Sequence, residues 1–280
     1  MNLIIQSNTP SAFLLEKIIA ATGASNVEIV TTHLVRLHNA KRSPEFEALT
    51  PLIEAEELDW AFFEPGKKLS DFGLICFDMD STLINIECID ELADFAGKKV
   101  EVAAITESAM RGEIDYRESL RRRLALLAGL DARVLARVYN ERLVLSPGAN
   151  DLLQASQHAG LRTAILSGGF TYFTERLRIE LGFDFATSNE LEIAGGKLTG
   201  QVTGDIVDAA AKSRHLLRLT EELGLRSDQV IACGDGANDL LMMSHAGLSV
   251  AFHAKPAIRG SAKVMINFGG LDALLNLFEA

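Results

Sequence analysis

The sequence lacks the marks of membrane, secreted and zinc-binding proteins. No apolar run approaches a membrane span, and no basic segment precedes a hydrophobic one at the N-terminus, so we expect a cytoplasmic protein that does not bind membranes. Its three cysteines form no Cys-x-x-Cys pair, which indicates reduced, buried thiols rather than disulfides or a metal site. The six histidines show neither a His-Glu-x-x-His motif nor paired-ligand spacing. Repeats and low-complexity tracts are absent too.

Basic residues are in deficit as well. The chain has 27 Lys and Arg against 38 Asp and Glu, and the net charge of −11 argues against nucleic acid as a partner. Residues 98–142 are an exception, because they hold ten Lys and Arg against seven Asp and Glu. With 48% hydrophobic residues, 280 residues are enough for one large core and a smaller module.

The most informative segment is 74–82, an apolar run that ends in two carboxylates and two hydroxyls. Asp78 and Asp80 are two residues apart, so in an extended segment they point the same way. Two crowded acids repel each other, which indicates that a cation or a proton in transit compensates them. Asp can also attack phosphorus and form an aspartyl-phosphate. The alternative is a strand followed by an ordinary Asp-Ser-Thr turn or helix cap.

Two later segments share this pattern of a short apolar run that breaks into polar residues and glycine. They are 162–169, which ends in Ser167-Gly168-Gly169, and 229–239, which contains Asp235, Asn238 and Asp239. Lys212 lies between them, near the start of a predicted helix. Strands that alternate with helices form parallel sheets, which bind ligands beyond the carboxyl ends of their strands. We therefore expect these polar residues in one crevice, although Lys212 by itself is typical of a solvated helix lysine.

In combination, these motifs resemble the four signatures of the haloacid dehalogenase superfamily. They are Asp78-Met-Asp80-Ser-Thr, Ser167-Gly-Gly, Lys212 and Gly234-Asp235-Gly-Ala-Asn238-Asp239. From Asp78 to Ala280 the chain resembles the phosphoserine phosphatases more narrowly. That likeness rests on the segments 85–91, 110–116 and 119–123, which contain Glu87, Met110, Tyr116 and Arg123.

The resemblance implies a mechanism with two aspartates and a magnesium ion. Asp78 attacks phosphorus, and Asp80 protonates the departing oxygen before it takes a proton from the hydrolytic water. Mg²⁺ prefers hard oxygen ligands, and its implied ligands are Asp78, Asp235 and the backbone carbonyl of Asp80. Asp239 is expected to orient Lys212 or a bound water.

The same resemblance assigns the groups that bind phosphate. Ser167 and the backbone amides of Gly168 and Gly169 form an anion-binding turn, where glycine lets the backbone approach the ligand. Lys212 supplies a positive charge against the transition state, and Asn238 donates from its amide.

Residues of about 88–146 are predicted to form a helical cap inserted into the phosphatase domain. Leu120, Leu124 and Leu127 form one apolar stripe at helical spacing, and Arg123 lies at its margin. Arg123 is therefore the arginine best placed to bind a substrate carboxylate, with Arg117 at the opposite margin as the alternative. Tyr116 falls on the side of Arg123, and the resemblance places Met110 beside the site as well. Arg121 and Arg122 are interpreted as solvated.

Glu87 lies at the entrance of the cap, where an acid would attract an ammonium group; the alternative is a helix N-terminal acid. Glu87 and Arg123 together would recognise both charged ends of an amino acid, which favours phosphoserine as the substrate. Phosphothreonine or phosphohomoserine, or a binding protein without activity, are the alternatives.

The first 68 residues are predicted to form a separate module. We expect a strand at 1–6, a helix at 11–22, a strand at 27–37, a helix at 44–58 and a strand at 60–64. This pattern is similar to small α+β modules of the ferredoxin or ACT type, which serve in ligand binding or in dimerisation. The predicted fold class is thus α/β, with a Rossmann-like parallel sheet core and inserted cap over residues 69–280 and an α+β module over residues 1–68. A homodimer through this module is one expectation.

Overall fold

The computed structural model describes residues 1–255, 258 and 260–279. It contains a four-stranded sheet near the N-terminus and a seven-stranded sheet in the rest of the chain. The predicted combination of an α+β module with an α/β core is confirmed. Among the residues described, no helix has the length and apolar character needed to cross a membrane.

The N-terminal sheet is antiparallel, with the strand order β2-β3-β1-β4. Its elements, in chain order, are β1 (Asn2–Gln6), α1 (Ala12–Thr22), β2 (Asn26–Thr31), β3 (Leu34–His38), α2 (Pro44–Glu47), α3 (Thr50–Ala55) and β4 (Asp59–Phe63).

Two predictions for this module are wrong in detail. The single strand expected at 27–37 is a hairpin, because Thr31 Oγ1 accepts a hydrogen bond from the backbone N–H of His33 and closes a turn there. The single helix expected at 44–58 is two short helices. Pro51 cannot donate a backbone hydrogen bond and therefore occupies the first turn of a new helix.

The seven-stranded sheet has the order β11-β10-β9-β5-β6-β7-β8, and its ladders are parallel except for that between β7 and β8. Its strands are β5 (Leu74–Phe77), β6 (Arg162–Phe170), β7 (Phe185–Ala194), β8 (Lys197–Thr203), β9 (Val230–Gly234), β10 (Leu248–Phe252) and β11 (Val264–Ile266). Strand β5 lies between β6 and β9, so the carboxyl ends of these three strands are neighbours.

Helices follow or connect these strands in two groups. The first group is a helical insertion between β5 and β6, called the cap below, with α4 (Cys88–Phe95), α5 (Lys99–Met110), α6 (Tyr116–Ala125) and α7 (Arg133–Glu141). The second group consists of α8 (Ala149–His158), α9 (Thr171–Leu181), α10 (Ala209–Glu222) and α11 (Leu240–Ser244). The three cysteines are buried and free, as predicted.

Strands β1, β3 and β4 of the N-terminal sheet bury side chains on both faces of the sheet, whereas the edge strand β2 is exposed. One face packs beneath the module's own helices, and the other joins the main core through Ile4, Leu34, Ala61 and Phe63. Asp59, which is 1% exposed, accepts hydrogen bonds from the backbone N–H groups of residues 267–269 and from the hydroxyl of Ser7. The module is therefore an integral part of the packed structure.

Candidate active site

Asp78 lies at the carboxyl end of the central strand β5. The residue is 4% exposed, and its Oδ1 accepts a hydrogen bond from the backbone N–H of Met79 at 2.7 Å. The chain then winds tightly through residues 79–83, with Ser81 in the left-handed region at φ 56°. This winding turns Asp80 back toward Asp78, and both carboxylates line the same cavity.

Lys212 is buried against two carboxylates. It is 1% exposed, and its Nζ lies 2.8 Å from Asp78 Oδ1 and 2.7 Å from Asp239 Oδ1. Burial alone would lower the pKa of the ammonium group, but the charges of Asp239 and Asp78 raise it above its ordinary value. The alternative of a solvated helix lysine is wrong, because α10 begins directly beneath the end of β5.

Three carboxylates form a cluster suited to a metal ion. Oxygen atoms of Asp78, Asp235 and Asp239 lie within 4.8 Å of one another. Burial, with the charge of Asp78 as the next cause, raises the pKa of Asp235 to about 7 and also raises that of Asp239. Such crowded oxygen donors fit a hard divalent cation, which would relieve their repulsion. Thr82 Oγ1 donates to Asp235 Oδ1 at 3.3 Å and helps to orient it.

Asp80 has an environment that favours its protonated form. Burial raises its pKa well above the ordinary range, and the charges of Glu87 and Asp78 raise it further. Its Oδ1 is buried and has no hydrogen-bond partner among the described residues. The side chain of Asp80 lies outside the three-carboxylate cluster.

Ser167, Gly168 and Gly169 lie in the last part of β6, where its pairing with β7 is interrupted, and this segment is called the phosphate turn below. Ser167 is buried, and its Oγ accepts a hydrogen bond from the backbone N–H of Gly169 at 2.9 Å. A Cβ at Gly168 would lie 2.2 Å from Tyr116 Oη, so a larger residue there would displace the tyrosine hydroxyl that donates to the Gly168 carbonyl. Asn238 completes this side of the site, because its Nδ2 donates to Asp78 Oδ2 at 3.3 Å.

The predicted crevice is a cavity of about 610 Å³ between the sheet and the cap. The residues expected in the site that line it are Asp78, Asp80, Glu87, Met110, Tyr116, Arg123, Ser167, Gly168, Gly169, Asp235 and Asn238. Lys212 and Asp239 lie beneath its floor and reach it through Asp78. Chain segments that are far apart in sequence therefore meet around one cavity, as predicted.

Of the two cap arginines considered from the sequence, Arg123 lies at the cavity and Arg117 does not. Arg123 lines the cavity, and its Nε is buried without a hydrogen-bond partner in the described part of the chain. Arg117, the alternative, lies outside the cavity and pairs with Asp208 at 2.6 Å between Nε and Oδ2. Arg122 is exposed and pairs with Glu118, in agreement with its predicted solvation. The cavity thus contains an unsatisfied guanidinium nitrogen.

Glu87 lines the same cavity as Arg123, whose charge acts on it. The hydroxyl of Ser81 donates to Glu87 Oε1 at 2.8 Å. Burial among the surrounding protein atoms raises the pKa of Glu87, although solvent reaches it through the cavity. One acidic and one basic group therefore face the same space.

Three residues at the site were missed from the sequence. Thr82 contacts Asp235, Asn189 contacts the phosphate turn, and Lys255 lines the cavity with its Nζ 3.4 Å from Met110 Sδ. A signal existed for Asn189, because it lies in a polar run, Thr187-Ser188-Asn189, on a strand next to β6.

Comparison with known proteins gives the same class as the fold and the site. Residues 75–244 match the family of haloacid dehalogenase-like hydrolases. The chain is 59% identical over 220 residues to a phosphoserine phosphatase of a Polaromonas species, a match that covers 77% of this chain and 93% of the relative.

Solved structures extend the likeness to the N-terminal module. A hydrolase of the haloacid dehalogenase family from Salmonella enterica serovar Typhi has a TM-score of 0.88 at 33% identity, over 99% of this chain and 98% of that chain. A probable phosphoserine phosphatase from Vibrio cholerae has a TM-score of 0.83 at 39% identity, over 99% of this chain and 86% of that chain. The chain therefore belongs to the haloacid dehalogenase-like hydrolases and, within them, to the phosphoserine phosphatases.

Proposed function

We propose that this protein hydrolyses O-phosphoserine to serine and phosphate in the cytoplasm, as the last step of serine biosynthesis. The observation that carries the proposal is one cavity lined by Glu87, Arg123 and Asp78, of which Asp78 forms a buried pair with Lys212. The pair suits phosphoryl transfer, and Glu87 and Arg123 suit the two charged ends of an amino acid.

The reaction proceeds in two displacements. A carboxylate oxygen of Asp78 forms a bond to phosphorus while the bond from phosphorus to the serine oxygen breaks. Asp80, whose protonated form is favoured because burial raises its pKa, gives its proton to that oxygen. Asp80 then takes a proton from water, whose oxygen attacks phosphorus and releases Asp78 and inorganic phosphate.

The remaining groups stabilise the charge on the phosphoryl oxygens. Asp239 forms an ion pair with Lys212 and holds its ammonium group beside Asp78. The phosphate turn supplies the Ser167 hydroxyl and backbone N–H groups. Mg²⁺ fits the cluster of Asp78, Asp235 and Asp239, with the backbone carbonyl of Asp80 as a further proposed ligand. When bound, it neutralises carboxylate repulsion and polarises the phosphoryl group.

The direct test is phosphate release from phosphoserine, with and without magnesium. We expect magnesium-dependent release that stops on chelation, with kcat/KM higher for phosphoserine than for phosphothreonine or phosphohomoserine. A higher kcat/KM for phosphothreonine or phosphohomoserine would mean that phosphoserine is not the preferred substrate. No release from any of the three would favour a binding protein.

Arg123→Ala should lower kcat/KM for phosphoserine by roughly 10- to 100-fold, because a charge-assisted hydrogen bond to the substrate carboxylate is lost. Phosphoethanolamine lacks that carboxylate, so its kcat/KM should change little. Arg122→Ala, on the exposed side of the same helix, is the matched control. An equal loss with both substrates would contradict a role of Arg123 in carboxylate binding.

We also propose that the N-terminal module offers a homodimer surface. Strand β2 is exposed along its whole length at the edge of the sheet, and Ile29 on it is 70% exposed. Edge strands with apolar side chains pair readily with another strand. The molar mass in solution, measured by sedimentation, tests this surface.

A further inference from the structure

The phosphate turn interrupts the pairing of β6 with β7. Leu166 pairs with Thr187, and pairing resumes only at Phe170 with Asn189, so four residue steps on β6 face two on β7. The extra residues bulge out of the sheet. Backbone groups in such a bulge lose their partners in the ladder and need others.

Asn189 supplies one of these partners. Its side chain is 1% exposed, and its Nδ2 donates to the carbonyl oxygen of Gly168 at 2.7 Å. Its Oδ1 accepts from the backbone N–H of Val207 at 2.8 Å. Val207 immediately precedes Asp208, which caps the helix that carries Lys212. One buried amide thus connects the phosphate turn with the start of the lysine helix.

The carbonyl of Gly168 accepts a second hydrogen bond, from Tyr116 Oη at 3.1 Å. A peptide unit is planar and trans, so the direction of this carbonyl also sets the direction of the N–H of Gly169, which points the opposite way. That N–H lies 2.9 Å from Ser167 Oγ. Because that N–H donates to Ser167 Oγ, whatever holds the Gly168 carbonyl also orients the Ser167 hydroxyl, which keeps its own hydrogen to donate.

We propose that Asn189 is a positioning residue for phosphate binding, which acts by fixing the Gly168–Gly169 peptide and by holding the turn against the Lys212 helix. This inference rests on the proposed function, because it takes the turn to be the site of the phosphoryl group. Tyr116 donates to the same carbonyl from the cap. Asn189 therefore holds the turn from within the core, and Tyr116 holds it only where the cap is in place.

The experiment measures the affinity for inorganic phosphate by calorimetry in the presence of magnesium, together with kcat, KM and the melting temperature. Asn189→Asp keeps the acceptor for Val207 but loses the donor to Gly168. We expect about tenfold weaker phosphate binding and a similar rise in KM, the effect of one well-placed hydrogen bond. Ser188→Ala is the control, because Ser188 Oγ contacts Thr174 and not the turn.

Tyr116→Phe should weaken phosphate binding less than Asn189→Asp, and the double variant should lose more than the product of the two single effects, since both donors hold one atom.

A lower melting temperature with unchanged phosphate affinity in Asn189→Asp would show a structural role alone and overturn the proposal. If the buried carboxylate prevents folding, Asn189→Ala leaves room for water, and unchanged affinity in that variant is equally decisive. Wild-type protein that neither binds nor releases phosphate would refute the proposed function instead.

Discussion

Asp78→Asn is expected to lower the rate of phosphate release by on the order of 10⁶-fold, the size of effect seen when a catalytic nucleophile is removed. The amide of asparagine has nearly the shape of the carboxylate and can still accept from Met79. It cannot attack phosphorus at a useful rate, and it leaves Lys212 with one carboxylate partner instead of two.

Single-turnover phosphate release and mass spectrometry of the acid-quenched enzyme measure this effect. A phosphoryl adduct should appear on the wild-type chain and be absent from the variant. Asp151→Asn, an exposed aspartate on α8, serves as the control for a charge change away from the cavity. Release from Asp78→Asn within a hundredfold of the wild-type rate would exclude the covalent mechanism.

Asp59→Ala is expected to lower the free energy of unfolding by about 2–3 kcal/mol, because it removes the buried acceptor of three partly buried backbone N–H groups. For a chain of this size the melting temperature should fall by several degrees. Asp59→Asn should cost less, since its amide oxygen still accepts.

Thermal and denaturant unfolding measure the difference. Asp71→Ala is the matched control, because that exposed carboxylate accepts from a single backbone N–H, that of Lys68. An unchanged melting temperature in Asp59→Ala would mean that water replaces the carboxylate, and the module would then be held by its apolar contacts and by the hydrogen bonds of Gln6 and Arg36 with Asn276.

The sequence was sufficient to predict the central strands and the residues that gather at their ends. Each apolar run that breaks into polar residues became a strand of the parallel sheet, as at Asp78, Ser167 and Asp235. The helical spacing around Leu120 also indicated Arg123 correctly as the cap arginine that faces inward. These features are encoded locally, in the period of the apolar residues.

Features that depend on contacts between distant segments were not predictable in this way. The hairpin after Thr31 carries no glycine or Asn-Gly signal, so it resembled one long strand. The burial of Lys212 accompanies its contacts with Asp78 and Asp239, which are distant from it in sequence. Asn189 donates to Gly168 and Asp59 accepts from the backbone of Asn267, and although the polar run at Asn189 marks it locally, the sequence does not indicate either partner.

The burial of strands β1, β3 and β4 on both faces of the N-terminal sheet bears on related cores that lack such a module. Here Phe63 of β4 and Phe72 both meet the ring of Phe278, with centroids 5.5 and 5.7 Å from it. A phosphatase core cut off before Phe72 would present this aromatic surface to water and tend to aggregate. Independent cores of this family are therefore expected to carry polar substitutions at the counterparts of Phe72 and Phe278, a signature of domain loss that can be sought in sequences alone.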